Sequence, residues 1–259
     1  FMFIGVFATL VSEEPKIKKN FKSDNHLNFL LTVFIAVIGF IFLYSIIDNP
    51  YGKENIILSF LFSITRLVSC FIFSFFIIYF LVLINFTPKN KIDKSYLAPI
   101  VNFLNRYGKF AFLILILISL YRIADVVMGV MANIFYLEKG YKISEIATYS
   151  KFFGVFATIF GGFIGGYCAY KFGTMKTLFF GALIAALSNL LFAWLANSPI
   201  SINFLITVIT ADNISSGFAG AAFVIYLSGL TSIKFTATQY ALFSSIMLFL
   251  PKLIAGYAG

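Results

Sequence analysis

Charged side chains interrupt several long apolar runs of this sequence. Arg122 and Asp125 lie in LYRIADVVMG, and Asp212 precedes Asn213 in VITADNISSG. A further cation, Lys151, is surrounded by apolar residues in SKFFGVF. A charge at the centre of a membrane helix costs about 2.5 to 3.5 kcal/mol, so such a residue ordinarily faces the interior of a bundle or a hydrated cavity. These five residues are therefore the first candidates for chemistry.

The chemistry they favour is proton exchange beside a cation. Arg122 and Asp125 are three residues apart and share one helix face. Burial disfavours a charged carboxylate and a neighbouring cation favours it, so Asp125 can take up a proton when Arg122 moves away. The alternative is a purely structural ion pair. For Lys151 the alternatives are contact with an anionic ligand or snorkelling of the ammonium group to the membrane surface.

The two aspartates are predicted to lie at a similar depth. At about 1.5 Å per residue, Asp125 is roughly 24 Å from Lys109 at one membrane surface. Asp212 is roughly 14 Å from the opposite surface by the same measure. We therefore expect both carboxyl groups to line one cavity, with the amide of Asn213 adding hydrogen-bonding groups to it.

The composition indicates the class of protein. Apolar residues make up 61% of the 259 residues and charged residues 11%, whereas about a quarter of the residues of a soluble domain are charged. Both cysteines lie in apolar runs, so neither a disulfide, a metal site nor a cofactor is expected. His26 is the only histidine, and no HExxH or GxSxG motif occurs, so we do not expect an enzyme.

The lengths of the apolar runs predict an all-α polytopic membrane bundle. A crossing needs about 20 apolar residues. The sequence contains six full crossings, at about 27–47, 56–86, 109–136, 145–169, 175–196 and 202–230. A run at 1–11 is too short to cross, and a further run extends from about 237 to the last residue.

The basic residues of the loops predict the orientation. One set of alternate loops carries Lys16, Lys18, Lys19, Lys22, Lys89, Lys91, Lys94, Arg106, Lys109, Lys171, Lys176 and Lys234. The other set carries only Lys53, Lys139 and Lys142. The first set is expected in the cytoplasm, and we call that side of the membrane the basic side. Topology also accounts for the net charge of +9 without a nucleic-acid partner.

Small residues recur at four-residue spacing in the crossing at 145–169. Gly161 with Gly165, and Gly162 with Gly166, form two overlapping small-xxx-small pairs. This spacing is typical of membrane helices that approach one another closely.

Two features resemble known transporters. The loop GGYCAYKFGTMKT resembles the signature between the second and third helices of each half of the major facilitator superfamily: Gly166, Lys171, Gly173 and Lys176 match, whereas Tyr170 stands where an acid is usual. The segments around LYRIADVVMG, SGFAGAAFVIYL and FTATQYALFSS resemble the C-terminal half of the AmpG family of muropeptide permeases, and ATQYAL is the most distinctive of them.

The resemblance implies a division of the chain. Residues 1–26 would be the end of a preceding crossing and a cytoplasmic loop, and 27–86 two additional crossings. Residues 87–108 would be an amphipathic cytoplasmic linker. Residues 109–259 would be the C-terminal half-bundle of a major facilitator transporter, truncated because its last apolar run has no polar flank.

The resemblance also implies a function. AmpG-like permeases are proton symporters of the bacterial inner membrane that import N-acetylglucosaminyl-1,6-anhydro-N-acetylmuramic acid and its peptides for peptidoglycan recycling. By matching position, Asp125 and Asp212 would couple protons, although a Glu is more usual at position 212. The substrate would contact Arg122, Lys151 and Asn213, as well as Gln239 of ATQYAL. Membrane lipids and a missing N-terminal half-bundle would be the partners.

Two alternatives stay open at this point. The chain is either part of a working transporter or a truncated or decayed half-transporter with no transport of its own. The substrate is either a muropeptide or another ligand of major facilitator permeases.

Overall fold

The computed structural model describes residues 26–51 and 55–257. The short run at 1–11, the side chain of His26 and the lysines at 16, 18, 19, 22 and 53 lie outside the described part. The α-helices within it are α1 (His26–Ile46), α2 (Ile56–Leu83), α3 (Lys89–Ile92), α4 (Ala98–Tyr107), α5 (Phe110–Leu120), α6 (Ile123–Lys139), α7 (Ile143–Thr148), α8 (Gly154–Phe172), α9 (Thr174–Asn197), α10 (Ile202–Leu230) and α11 (Thr236–Ala255).

Seven segments of the described chain are long and apolar enough to cross a membrane. Two of them are composite: α5 with α6 covers Phe110–Lys139, and α7 with α8 covers Ile143–Phe172. The apolar run predicted from about residue 237 is part of a crossing at Ile233–Ala255. The prediction of an all-α polytopic membrane bundle is confirmed.

The chain separates into two compact units, and the described part of the first comprises 26–48 and 64–89. Polar contacts join α1 to α2 and to the turn that follows α2. Ser74 Oγ of α2 donates to Ala36 O at 3.1 Å, and Asn28 Nδ2 donates to Phe86 O of the turn at 3.1 Å. Arg66 donates to the carbonyl of Tyr44 and stacks over its ring. Because Tyr44 is in the last turn of α1, Arg66 satisfies a carbonyl that lacks a partner within that helix.

The second unit, 49–51, 55–63 and 90–257 in its described part, contains two hydrophobic clusters. The cluster toward the basic side comprises Phe103, Ala111, Ile118, Leu178, Ala222, Phe223, Leu227, Leu230 and Phe243. The other comprises Tyr136, Tyr141, Ile146, Phe192, Leu195, Leu205, Val208 and Ile209. On each helix of the α5–α6, α9 and α10 set, the polar residues Asp125, Ser188 and Asp212 fall between the stretches that enter the two clusters. Packing therefore leaves a polar layer between two apolar ones.

Helices α8 and α10 approach closely at their glycines. A Cβ atom on Gly161 would lie within 3.0 Å of the Ile214 backbone, and one on Gly217 would lie within 3.0 Å of Thr158 O. Gly165 is similarly close to the backbone of Phe218, whereas Gly166 has open space around it. Backbone contact of this kind needs residues without side chains on both helices. It fixes α10, which carries Asp212, against α8.

Candidate functional site

The crossing that carries Arg122 and Asp125 consists of two helices, and the break between these helices lies at Tyr121–Arg122, just before Asp125. Helix α5 ends at Leu120, α6 begins at Ile123, and Arg122 has φ −99° and ψ 5°. Tyr121 stacks on Phe223 with ring centroids 4.7 Å apart and donates its hydroxyl to Leu178 O at 3.0 Å. These contacts hold the break from two neighbouring helices. Asp125 thereby falls in the first turn of α6, where the helix dipole favours a negative charge.

Arg122 and Asp125 form an ion pair across the start of α6. Arg122 Nη1 lies 3.3 Å from Asp125 Oδ2, with the two side chains 22% and 13% exposed. Gly220 of α10 faces the guanidinium, because a Cβ atom there would lie 3.1 Å from Arg122 Nη1. A side chain at position 220 would therefore compete with the guanidinium for space.

The second carboxyl group lies beside this pair. Asp212 is close enough to Asp125 for their charges to interact, and the Ser188 side chain is near enough to hydrogen bond to it. The phenol of Tyr136 is also within electrostatic range of Asp212. Ser188 Oγ and Ser215 Oγ are 2.9 Å apart, which continues the polar layer between α9 and α10. Two partly buried carboxyl groups and one guanidinium are thus grouped where α6, α9 and α10 meet.

Asn213 points away from this group, toward α8. Its Oδ1 accepts from Thr158 Oγ1 at 3.0 Å, and its Nδ2 donates to Ile209 O at 2.8 Å. Gly154 provides the space, because a Cβ atom there would lie 3.1 Å from Asn213 Nδ2. The amide therefore links α10 to α8 through hydrogen bonds within the protein.

Lys151 lies in a short π-helical turn, Tyr149–Phe153, between α7 and α8. Its side chain is exposed and borders a cleft of about 220 Å³. The other residues that line the cleft are Asn133, Leu137, Ile143, Ile146, Ala147 and Ser150. Neither aspartate lines it, so the structure does not place Lys151 in the group around Asp125.

Gln239 is fully buried at the basic end of the bundle. Its Nε2 donates to Pro99 O at 2.8 Å and to Asn102 Oδ1 at 3.3 Å, and its Oε1 accepts from Ser232 N at 2.7 Å. Both ends of the amide therefore connect α11 to the linker helix α4 and to the loop after α10. Gln239 does not join the carboxyl group cluster.

A second contact attaches α4 to the same end of the bundle. Arg106 donates to the carbonyls of Leu230 and Thr231, at the C-terminal end of α10. Phe103, which lies in the predicted amphipathic linker, is 2% exposed and part of the cluster toward the basic side. The linker is therefore packed into the bundle as well as lying at its end.

The loop with the transporter-like signature connects α8 to α9. Gly173 has φ +90°, a conformation that other residues rarely adopt, and it lets the chain turn directly from one helix into the next. Lys171 and Lys176 flank the turn and are exposed, as is Tyr170. The loop lies well away in sequence from the polar layer and contributes no residue to it.

Sequence reasoning missed three residues in or against the polar layer, namely Ser188, Ser215 and Gly220. Ser188 is one of two polar residues within a long apolar stretch of α9, a signal that was available. Tyr136, which is 11 residues or about three turns after Asp125 on the same helix face, belongs to the neighbouring hydrophobic cluster. Gly220 and Ser216 form a small-xxx-small pair, which predicts a close approach of helices, but only the packed structure places Gly220 opposite Arg122. No group of three or more His, Cys, Asp or Glu able to hold a metal occurs among the described residues.

Comparison with known proteins identifies relatives of part of the chain. Two proteins named "Putative transporter AmpG 4" match it: that of Rickettsia conorii is 34% identical over 167 residues, and that of Rickettsia felis is 36% identical over 161 residues. "Putative transporter AmpG 1" of Rickettsia bellii is 38% identical over 152 residues. No profile of a known protein family matches the chain.

The matches cover 64%, 62% and 58% of this chain but only 40%, 38% and 37% of the respective relatives. The chain thus spans about two fifths of the length of these relatives. The resemblance to the AmpG family is confirmed over the matched part. The relatives are named as transporters, in agreement with the prediction that the protein is not an enzyme. Its seven described apolar crossings make the chain a multi-pass membrane protein.

Proposed function

We propose, from the AmpG-like sequence and the charged group in its polar layer, that this chain forms part of a proton-coupled importer. Asp125 and Asp212 are the proton-coupling groups in this proposal, and Arg122 is the cation that Asp125 exchanges for a proton. The observation that carries the proposal is the Arg122–Asp125 ion pair, at a helix break and beside Asp212. A purely structural ion pair would need neither the second carboxyl group nor the break.

The proposed cycle follows from the cost of leaving a charge unpaired in a medium of low dielectric. When Arg122 is displaced from Asp125, the carboxylate is left without its cation and binds a proton. When the pair re-forms, the cation again favours the carboxylate and the proton is released. At the turn Tyr121 N donates to Leu117 O of α5, whereas Arg122 O accepts from Val126 N of α6, so each residue is bonded to its own helix. In this proposal α5 and α6 move relative to each other at that turn. Asp212 adds a second acceptor for the proton.

The substrate that we propose is a muropeptide, N-acetylglucosaminyl-1,6-anhydro-N-acetylmuramic acid or its peptides. Such a ligand carries carboxylates, and we propose that they meet Arg122 in the polar layer or Lys151 beside its exposed cleft. Asn213 and Gln239 already bond within the protein, so we assign them the role of positioning α10 and α11 around the substrate. The matched relatives are named transporters, which supports a small-molecule substrate of some kind.

The proposed setting is the bacterial inner membrane, with the basic side in the cytoplasm. We propose that an N-terminal half-bundle completes the pathway, because the matched part of this chain corresponds to only 40% of its Rickettsia conorii relative. The lipid bilayer covers the apolar outer faces. The extra crossings at 27–86 are assigned no part in transport.

The test is uptake by the full-length product of the gene, reconstituted in proteoliposomes. Labelled N-acetylglucosaminyl-1,6-anhydro-N-acetylmuramic acid is supplied outside, with and without an inward proton gradient. Accumulation that requires the gradient and is abolished by a protonophore supports the proposal. Accumulation that is independent of the gradient would refute proton coupling. A full-length product that inserts but moves neither this sugar nor related amino sugars would favour a half-transporter without transport.

A further inference from the structure

An apolar groove opens between α8 and α9 beside the loop that connects them. Its volume is about 440 Å³. Its lining is formed by Cys168, Phe172, Thr177, Phe180, Ile184 and Phe218. Phe172 and Phe180 are more than half exposed, so the groove is open along its side, whereas Phe218 of α10 is 7% exposed and forms its floor. None of these residues takes part in the polar layer around Asp125.

The groove extends from near the membrane surface into one leaflet. Along α9 its lining runs from Thr177 to Ile184, and along α8 from Cys168 to Phe172. At 1.5 Å per residue the part on α9 is about 10 Å long. The hydrocarbon core of a bilayer is about 30 Å thick, so the groove covers the outer part of the leaflet on the basic side. The upper part of an acyl chain of a lipid in that leaflet lies at this depth.

Positive charge lies at the surface end of the groove. Lys171 Nζ is 5.5 Å from the ring centroid of Phe172, which lines the groove, and Lys176 directly precedes Thr177, which also lines it. The sequence contains no Asp or Glu from 146 to 211, so no acid is near these lysines in the chain. In addition, neither lysine forms an ion pair with any residue of the described chain. The two ammonium groups are available to an external anion.

We propose that this groove binds an anionic phospholipid of the leaflet on the basic side, with one acyl chain along α9 and the phosphate between Lys171 and Lys176. Basic pockets between membrane helices on the cytoplasmic side bind anionic head groups, and an apolar groove below two cations matches both parts of such a lipid. A free phosphate would leave the groove unfilled. An apolar helix of a partner would leave both lysines without a counter-charge. The inference does not depend on the proposed transport function.

The experiment is lipid retention by the purified protein. The full-length product is extracted from nanodiscs that contain equal amounts of phosphatidylglycerol and phosphatidylcholine, and the bound lipid is counted by native mass spectrometry. Phosphatidylglycerol is expected to be retained preferentially. In the double variant K171Q/K176Q the ratio of retained phosphatidylglycerol to phosphatidylcholine is expected to fall about thirtyfold. Each lysine near the surface contributes about fivefold to the binding of an anionic lipid. The matched control is Lys142→Gln, an exposed lysine on the opposite side.

A second variant tests the acyl-chain site without changing the charge. Cys168→Phe places a ring in the groove and is expected to lower lipid retention, whereas Val155→Phe, on α8 outside the groove, leaves retention unchanged. Size-exclusion chromatography of each variant establishes that it is folded. Equal retention of the two lipids, or unchanged retention in K171Q/K176Q, would overturn the proposal. Full displacement of the lipid by inorganic phosphate alone would also overturn it. The same holds if a photo-crosslinking residue in place of Phe180 reacts with protein instead of lipid.

Discussion

The Arg122 guanidinium lies 3.3 Å from the Asp125 carboxylate, and the pair marks the point where one membrane crossing divides into α5 and α6. Asp212 of α10 lies beside it. Separating such a pair inside the membrane is costly unless the carboxylate gains a proton, because an uncompensated buried charge costs several kcal/mol. The pair is therefore suited to link helix movement to protonation, and it provides the first prediction.

Replacing Arg122 with Gln is expected to leave Asp125 without its cation. The carboxyl group then stays protonated through the cycle. The ratio of uptake with the proton gradient to uptake without it should therefore fall tenfold or more, as expected for a coupling free energy of about 1 to 3 kcal/mol. Exchange of labelled for unlabelled substrate without a gradient persists. Arg122→Lys retains the charge and is the matched control. Uptake that stays gradient-driven in Arg122→Gln would show that the guanidinium has no part in coupling.

Asp212 is expected to tolerate a longer acid but not a neutral amide. Asp212→Glu retains the carboxyl group beside Asp125 and should keep gradient-driven uptake within a few fold. Asp212→Asn removes the second proton acceptor and should reduce gradient-driven accumulation by about tenfold or more. Both variants are measured in the same proteoliposome assay, normalised to inserted protein. If Asn and Glu behave alike, Asp212 is a hydrogen-bonding residue and not a coupling group.

The contact between α8 and α10 predicts a difference between two neighbouring glycines. Gly161→Ala places a Cβ within 3.0 Å of the Ile214 backbone, so the helices must separate. Overpacking of this kind costs about 1 to 3 kcal/mol. Gly166→Ala meets open space and is expected to leave stability unchanged. The midpoint of thermal unfolding in detergent, followed by loss of the monodisperse peak, compares the two. Equal midpoints would contradict the packing described here.

Gln239 is expected to hold the linker helix α4 in place. Gln239→Leu keeps a similar volume but leaves the buried Pro99 O and the partly buried Ser232 N and Asn102 Oδ1 without this partner. An unsatisfied buried polar group costs about 1 to 3 kcal/mol. The linker should then be cleaved faster by trypsin at Lys94 and Arg106. Ser244→Ala is a control, because that exposed hydroxyl bonds only to its own helix. Unchanged cleavage together with reduced substrate affinity would instead assign Gln239 to the substrate site.

The crossings and the polar residues within them could be predicted from the sequence, because the cost of placing charge in hydrocarbon applies to each helix separately. The break at Tyr121–Arg122 could not, since neither Gly nor Pro occurs there. It depends on the contacts of Tyr121 with Phe223 and Leu178, which are 102 and 57 residues away in the chain. A local pattern contains no information about such partners.

The roles of the polar side chains were harder to predict than their positions in the membrane. Helical spacing indicates which residues share a face, as for Arg122 and Asp125, but not which helix that face meets. Asn213 follows Asp212 directly, yet it lies a third of a turn away and bonds to Thr158 of α8 instead of joining the carboxyl groups. Gln239 likewise contacts the linker, where Pro99 is 140 positions earlier in the chain.

Proton coupling at Asp125 is tested by substrate accumulation in Asp125→Asn, which keeps the size of the side chain and removes its charge. The variant is reconstituted beside the wild type, and labelled substrate is measured inside the vesicles as a function of the imposed proton gradient. Accumulation is expected to become independent of the gradient, while gradient-free exchange and membrane insertion persist. Accumulation that rises with the gradient as steeply as in the wild type would show that Asp125 does not couple transport to protons.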